Sequence, residues 1–543
     1  MAVTGRIDGV PSEVWDEEVL APQFGYEAQA LLPHYVSIEK VLLLEYRRMG
    51  LVDPHGAAAI AERLDELTPE LIRADPRDNM SDIFFAMERH VARGGTAPFA
   101  AWHVDRSRND FQACGQLLSC RENVRALAGD LVALGRTAAA RAAELPDSPM
   151  PGYTHAQAAQ TITPAFYLSA LSEETLAAAR RLLTTYDGID RSPLGAGSMA
   201  GQELPWDRDR MAGLLGFREP QPHALVSVAS RSWALAVTSE LSNFAVLLSR
   251  FTTDLMTWSG AGFGFVDFPD ALAGISAAMP QKRNFPVLER IRGRCSHVVG
   301  CATQLAFAQH GTPYANSVEV SKEAGRHLPA QFAALRSALR LAHTALATAT
   351  FRTDRMREAC EGDFLGAFTL ANLLTLEAGV PWRTAQVIAG AYVRAAIAKG
   401  LPAATPDGPL LAAIAEEHGH RVPEPAELLS GSLDADKAVR VKHSAGSTHP
   451  DAVRAVLAAQ ERAFREVSEQ WRLRGEAAGV AAARVDALLA VEGIGGESAE
   501  SIGGDTAEGI GAGSAEGVGA GSAEGIGGNS AAGTGEGTPA GAP

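Results

Sequence analysis

The chain has 543 residues, 46% hydrophobic and 21% charged, which suffices for a large core and two or three domains. Its 48 basic and 64 acidic residues leave −16, nothing like a phosphate-gripping surface, which argues against nucleic acid as a partner. The first fifty residues lack the basic start and apolar core of a signal peptide, and no apolar stretch nears the roughly 18 residues of a membrane helix, so the sequence reads as cytoplasmic with no membrane partner. In chain order, the part through Trp102 mixes short helices and loops. Val124, Leu127, Leu131 and Leu134 then recur at helical spacing. Ala165 to Tyr186 reads as a second long helix. Val237, Leu241, Phe244, Leu248, Phe251 and Leu255 draw one apolar seam down a third, about 25 residues or roughly 37 Å long. Pro381 and the loop from Pro402 to Pro409 punctuate a smaller helical region after Arg352.

Strand alternation is scarce, so the fold class is all-α, a long-helix bundle of the kind that often continues across subunits. Domains are expected at 1–110 (N-terminal), 111–351 (central bundle), 352–475 (C-terminal helical) and 476–543 (linker and tail). The tail repeats an octapeptide, AEGIGAGS, AEGVGAGS and AEGIGGNS over residues 507–530. It is rich in Gly, Ala, Ser and Glu, too poor in apolar residues to offset its ordering entropy, and is expected to be disordered. Cys114, Cys120, Cys295, Cys301 and Cys360 form no CxxC and no metal or disulfide spacing; they read as small hydrophobes in a reducing compartment. No metal and no cofactor is expected.

Four polar segments interrupt the helical pattern. His103-Val-Asp-Arg-Ser-Arg-Asn-Asp110 gathers two guanidinium forks, a serine and an asparagine where a helix begins, an anion-gripping set that would equally serve as a solvated helix cap. Pro151-Gly-Tyr-Thr-His-Ala-Gln157 sets a histidine beside a threonine, suited to proton transfer or simply structural. Pro193-Leu-Gly-Ala-Gly-Ser-Met-Ala-Gly201 lacks the spacing and the preceding strand of a dinucleotide loop. Gly274-Ile-Ser-Ala-Ala-Met-Pro-Gln-Lys-Arg-Asn284 places serine, lysine and asparagine in a small-residue loop, with Glu289 just beyond; a basic surface loop would look similar.

Together these segments resemble the fumarase/aspartase superfamily and, within it, the argininosuccinate lyase family. Arg106-Ser-Arg-Asn-Asp110 resembles the family's RSRND stretch, Gly152 to Gln157 its GYTH-x-Q stretch, and Ser276 to Asn284 the signature S-S-x-M-P-x-K-x-N. Pro193 to Gly201 and Gly379-Val-Pro-Trp-Arg383 match two further stretches, and the likeness runs in order from about Tyr26 to Ala455. The resemblance implies a homotetramer with a twenty-helix core, small N- and C-terminal helical domains, and active sites each drawn from three subunits. It implies a lyase of amino-acid metabolism and arginine biosynthesis that cleaves a C–N bond by β-elimination, releasing fumarate from argininosuccinate or a related N-substituted aspartate. It assigns Ser276 as the base at Cβ. Lys282 and Asn284 would hold the substrate carboxylate, and His155, paired with Glu289, would serve the departing nitrogen. Ser107, Arg108, Asn109 and Thr154 would grip the succinate half, and Glu27 would contact the other half.

The chain departs from that family in several places. The second serine of the signature is Ala277, and Phe285 precedes Pro286. The family's S-D-R-D is Ala229-Ser-Arg-Ser232, without its two acids. After Gly311 the residues that hold the arginine half are altered: Tyr314 is displaced and Ser321 stands for a glutamine. The fumarate-forming half is intact and the leaving-group half is not. Two alternatives follow: a divergent lyase acting on a different aminosuccinate, or an inactive structural homotetramer.

Overall fold

The seam from Val237 to Leu255 needs a partner surface, and three long helices supply it. The computed structural model describes residues 9–93 and 100–490. Its first helices of note are α1 (Ala21–Ala30), α2 (Leu32–Arg48) and α3 (Ile83–Arg93). Then comes α4 (Arg108–Glu144), 37 residues and about 55 Å long. An antiparallel hairpin, β1 (Met150–Thr154) with β2 (Gln157–Ile162), leads into α5 (Pro164–Gly188). Next are α6 (Ser232–Ser259), the two-residue pair β3 (Gly274–Ile275) and β4 (Arg283–Asn284), α7 (Pro286–Gln309) and α8 (Leu328–Thr348). The chain closes with α9 (Pro450–Ala490).

The periodicities hold as read. Val124, Leu127, Leu131 and Leu134 are buried on α4, and Val237, Leu241, Phe244, Leu248 and Leu255 on α6. Phe251 is half-buried, its ring 5.2 Å from that of Tyr167. Gln331 on α8 is fully buried; it donates to Val298 O on α7 (2.9 Å) and accepts from Thr238 Oγ1 on α6, a polar bolt through three apolar helices.

Leu42 and Phe84 from the N-terminal helices join the same core as the bundle. Residues such as Leu370, Leu374, Ile388, Tyr392 and Leu411 form a second, smaller core. Position 476, expected to open a linker, lies inside α9: Ala481, Val485 and Leu489 recur every four residues and are buried, so the helix keeps an apolar face as far as Ala490. The octapeptide repeats lie outside the described residues. Four of the five cysteines are buried and Cys301 is partly so, all as free thiols. Among the described residues no helix is long and apolar enough to cross a membrane.

Candidate active site

The start of α4 is where two of the sequence segments meet. Ser107 caps the helix, its Oγ accepting from Asn109 N at 3.2 Å. Asn109 Nδ2 donates to Ser198 O (3.0 Å), and Ser198 Oγ donates to Ser107 Oγ (3.2 Å). The glycine-bearing loop 193–201 thus lies across the helix end. What holds it there is Asp110, 2% exposed, whose Oδ2 accepts the Gly195 N–H (2.9 Å) and the Gly197 N–H (3.0 Å). Burial pushes the Asp110 carboxyl up to about 7 even though these donors pull the other way. Gly197 adopts φ +62°, and a Cβ there would sit 2.4 Å from Gly201 O, so only glycine fits. Asp105 fastens the far side of the same loop, accepting from Glu203 N (2.9 Å), Leu204 N (2.7 Å) and Trp206 Nε1 (2.9 Å).

The two arginines of this motif divide their work. Arg106 is ion-paired with buried Glu39, whose carboxyl, despite burial, is held down at about 2 by Arg106 and His103. Arg108 is more exposed: it donates to Asp82 Oδ2 (2.5 Å) and lies 4.2 Å from the Phe85 ring centroid. Ser107, Arg108 and Asn109 follow one another at the start of α4, with Arg108 resting on Asp82.

His155 stands at the exposed tip of the β1–β2 hairpin. Thr154 and Gln157 close the turn, and His155 and Ala156 take φ +53° and +59°. A two-residue turn with both central residues left-handed normally takes Asn-Gly. Holding two non-glycine residues there strains the backbone, a feature that clusters at functional sites. Thr154 also lines an open cavity of about 920 Å³ that Tyr153, Trp258 and Phe263 share; none of Ser276, Lys282 or Ser107–Asn109 lines it.

Ser276, Lys282 and Asn284 share the loop between β3 and β4, with Asn284 paired opposite Gly274. Arg283 pins the loop base to Asp267 Oδ1 (2.6 Å) and Asp270 Oδ1 (2.8 Å). Ser276 Oγ accepts the Met279 N–H at 3.1 Å, a donor that would stabilise negative charge on that oxygen. Ile275 is 94% exposed and Lys282 is exposed, so the loop projects outward. Glu289, on the first turn of α7, is exposed too, and among the described residues of one chain no hydrogen bond or ion pair joins it to His155.

Glu27 lies elsewhere, 3% exposed and ion-paired with Lys322. Both line a cavity of about 330 Å³ together with Gln116, Arg231, Trp233 and Ser321. Gln116 Nε2 donates to Ser321 O at 2.8 Å. Sequence reasoning gave no role to Asp110, Ser198 or Arg231. Asp110 and Ser198 lie inside the 103–110 and 193–201 segments, and Arg231 is the one charge left in the altered S-D-R-D stretch.

The protein is thus a long-helix bundle with its polar groupings set apart at helix ends and turns, and the long-helix bundle is the fold of the fumarase/aspartase superfamily lyases. A lyase family model matches residues 76–300. Argininosuccinate lyase of Thermus thermophilus is 35% identical over 424 residues, 77% of this chain and 89% of that one. Its counterpart in Methanoculleus marisnigri is 32% identical over 78% of this chain and 85% of the relative. Among solved structures, EDDS lyase in complex with formate superposes with a TM-score of 0.78 at 22% identity, covering 90% of this chain and 97% of that chain. A class II fumarase from Schistosoma mansoni gives 0.62 at 15% identity, covering 77% and 90%. The chain belongs to the argininosuccinate lyase family and is a carbon–nitrogen lyase.

Proposed function

We propose that the chain eliminates fumarate from an N-substituted aspartate, argininosuccinate being the first candidate with arginine as the departing amine. Ser276 takes the Cβ proton. The C–H electron pair passes into the neighbouring carboxylate as an aci-carboxylate, whose second negative charge meets Lys282 and Asn284. That pair then forms the C=C bond as the Cα–N bond breaks, and His155, oriented by Glu289, gives the leaving nitrogen its proton. Ser107, Arg108, Asn109 and Thr154 hold the succinate half. Preorganised donors at developing charge are usually the largest catalytic term, each worth about 2.7–4 kcal/mol.

The reading includes a cytoplasmic homotetramer whose sites each draw on three chains. The observation that carries it is the outward-facing loop bearing Ser276, Lys282 and Asn284 above a pinned base, a set of groups that one chain leaves open to a neighbour. Exposed Val246 on α6 and Val299 and Phe307 on α7 give the long helices apolar surface to share with other copies. A second reading, a different aminosuccinate, is favoured by the occupied Glu27 carboxylate and by Ser321. Purified protein incubated with argininosuccinate should release fumarate, followed by its absorbance. Silence with argininosuccinate but fumarate from another N-substituted aspartate selects the second reading; silence with all of them overturns both.

A further inference from the structure

A hydroxyl has one proton to give and two lone pairs to offer. Both lone pairs of Ser107 Oγ are taken from within the chain. The Asn109 N–H holds one at 3.2 Å, and the Ser198 hydroxyl donates to the other at 3.2 Å. Among the described residues no atom accepts the Ser107 proton. The one capacity left to this side chain is donation, which an anion satisfies and a second donor does not. Asn109 beside it is set by the backbone of the same residue. Its Nδ2 donates to Ser198 O (3.0 Å), which settles which end of the amide is nitrogen and leaves a second N–H to give.

Ser198 is exposed, yet the loop that carries it is tied on both sides. Asp110 accepts the Gly195 and Gly197 N–H groups before it. After it, the Gly201 N–H donates to Ala196 O (2.9 Å), and Gln202 Nε2 donates to Asp105 O (2.6 Å). Its hydroxyl is therefore delivered to Ser107 by a fastened backbone.

Resting on the reading that Ser107 and Asn109 hold the succinate half, we infer that Ser198 is a specificity-determining residue of that half: by filling the last lone pair of Ser107 it presets that hydroxyl as a donor, so that the site takes a carboxylate and turns away a carboxamide. A carboxylate offers acceptors at both oxygens, whereas a carboxamide sets its own N–H against one of two donors. Ser198 acts through Ser107 and is a positioning residue.

Calorimetric titration of the full chain with succinate and with succinamide, its diamide, tests this. Ser198→Ala should weaken succinate about 2- to 10-fold, the worth of one hydrogen bond, and should not weaken succinamide. Ser198→Thr, which keeps the hydroxyl, should restore the parent value. In chains already carrying Ser107→Ala, the same Ser198→Ala change should cost nothing further, because the side chain it acts through is gone. Circular dichroism and melting temperature should stay at the parent values, whereas a merely structural serine would lower the melting temperature and leave the choice between the two probes alone. Equal loss for both probes, succinate binding unmoved by Ser198→Ala, an undiminished cost in Ser107→Ala chains, or no succinate binding by the parent would overturn the inference. Fumarate release judges the reading beneath it. A Ser198-dependent preference for succinate without fumarate from any N-substituted aspartate sinks the lyase reading alone; fumarate release with succinate binding indifferent to Ser198→Ala sinks this inference alone.

Discussion

The Ser107–Asp110 segment and the Ser276–Asn284 loop carry the two ends of the same proposed chemistry and are built by opposite means. The first is locked from within: Asp110 and Asp105 grip the backbone of the loop laid over it, and Ser198 bridges to Ser107. The second is pinned only at its base by Arg283, and Lys282 faces outward beside an Ile275 that is almost wholly exposed, with Ser276 and Asn284 half-buried. The Ser107–Asn109 segment is thus braced inside one chain, whereas the loop bearing Ser276, Lys282 and Asn284 lacks a covering surface there, and the proposed chemistry asks a neighbour to supply it. A serine alkoxide survives only in a dry site with positive charge nearby, so under the proposed chemistry Ser276, half-buried in one chain, needs a closing surface to act as a base.

Ser276→Ala breaks the comparison at its outward end. Turnover should fall about 10²- to 10⁴-fold, the usual worth of a positioned proton-transfer group, while circular dichroism and melting stay unchanged. Normal turnover would remove Ser276 from the chemistry.

Asp110→Asn probes the inward end through pH. The folded carboxyl titrates at about 7, above the roughly 3.9 of an unfolded aspartate. Between those values the folded chain keeps a proton that the unfolded chain has lost, so this group makes stability fall as pH rises from about 4 to about 7, by about 1.4 kcal/mol per unit. Urea unfolding of Asp110→Asn across that window should lack this decline. Glu39 works with the opposite sign and lower down: its contribution is lost only as pH falls toward about 2. An identical pH slope in variant and parent would mean that Asp110 is ionised throughout.

Gly197→Ala sharpens the contrast with the smallest effect. The added Cβ meets Gly201 O, and the left-handed backbone disfavours alanine, so stability should drop by about 1–3 kcal/mol in the same unfolding assay. Activity should drop with it as Ser198 moves off Ser107. An unchanged urea midpoint would show that the loop yields without cost.

Much of this was legible beforehand because it depends on local period and local chemistry. The seams of α4 and α6 repeat every three to four residues, and the helix start at Arg108 follows from a serine cap. The expected boundary at 476 falls inside α9, because alanine-rich turns resemble a linker in sequence until the buried spacing of Ala481, Val485 and Leu489 is placed against the bundle. The clasp between Asp110 and the Gly195–Gly197 backbone joins residues some 85 apart in the chain, and no period announces such a contact. Arg231 was conspicuous only as a residue whose acidic neighbours had gone. Its burial without an acidic partner among the described residues exists only in the fold.

Mixed assembly tests the central claim, that separate chains complete one another's sites. Chains carrying Ser276→Ala and chains carrying Asn109→Ala, each inactive alone, would be unfolded together, refolded and assayed for fumarate. With random assortment into tetramers, about a quarter of the sites unite an intact Ser276 from one copy with an intact Asn109 from another, and activity should return to that order. Mixed oligomers confirmed by mass that remain as inactive as either parent would contradict the account.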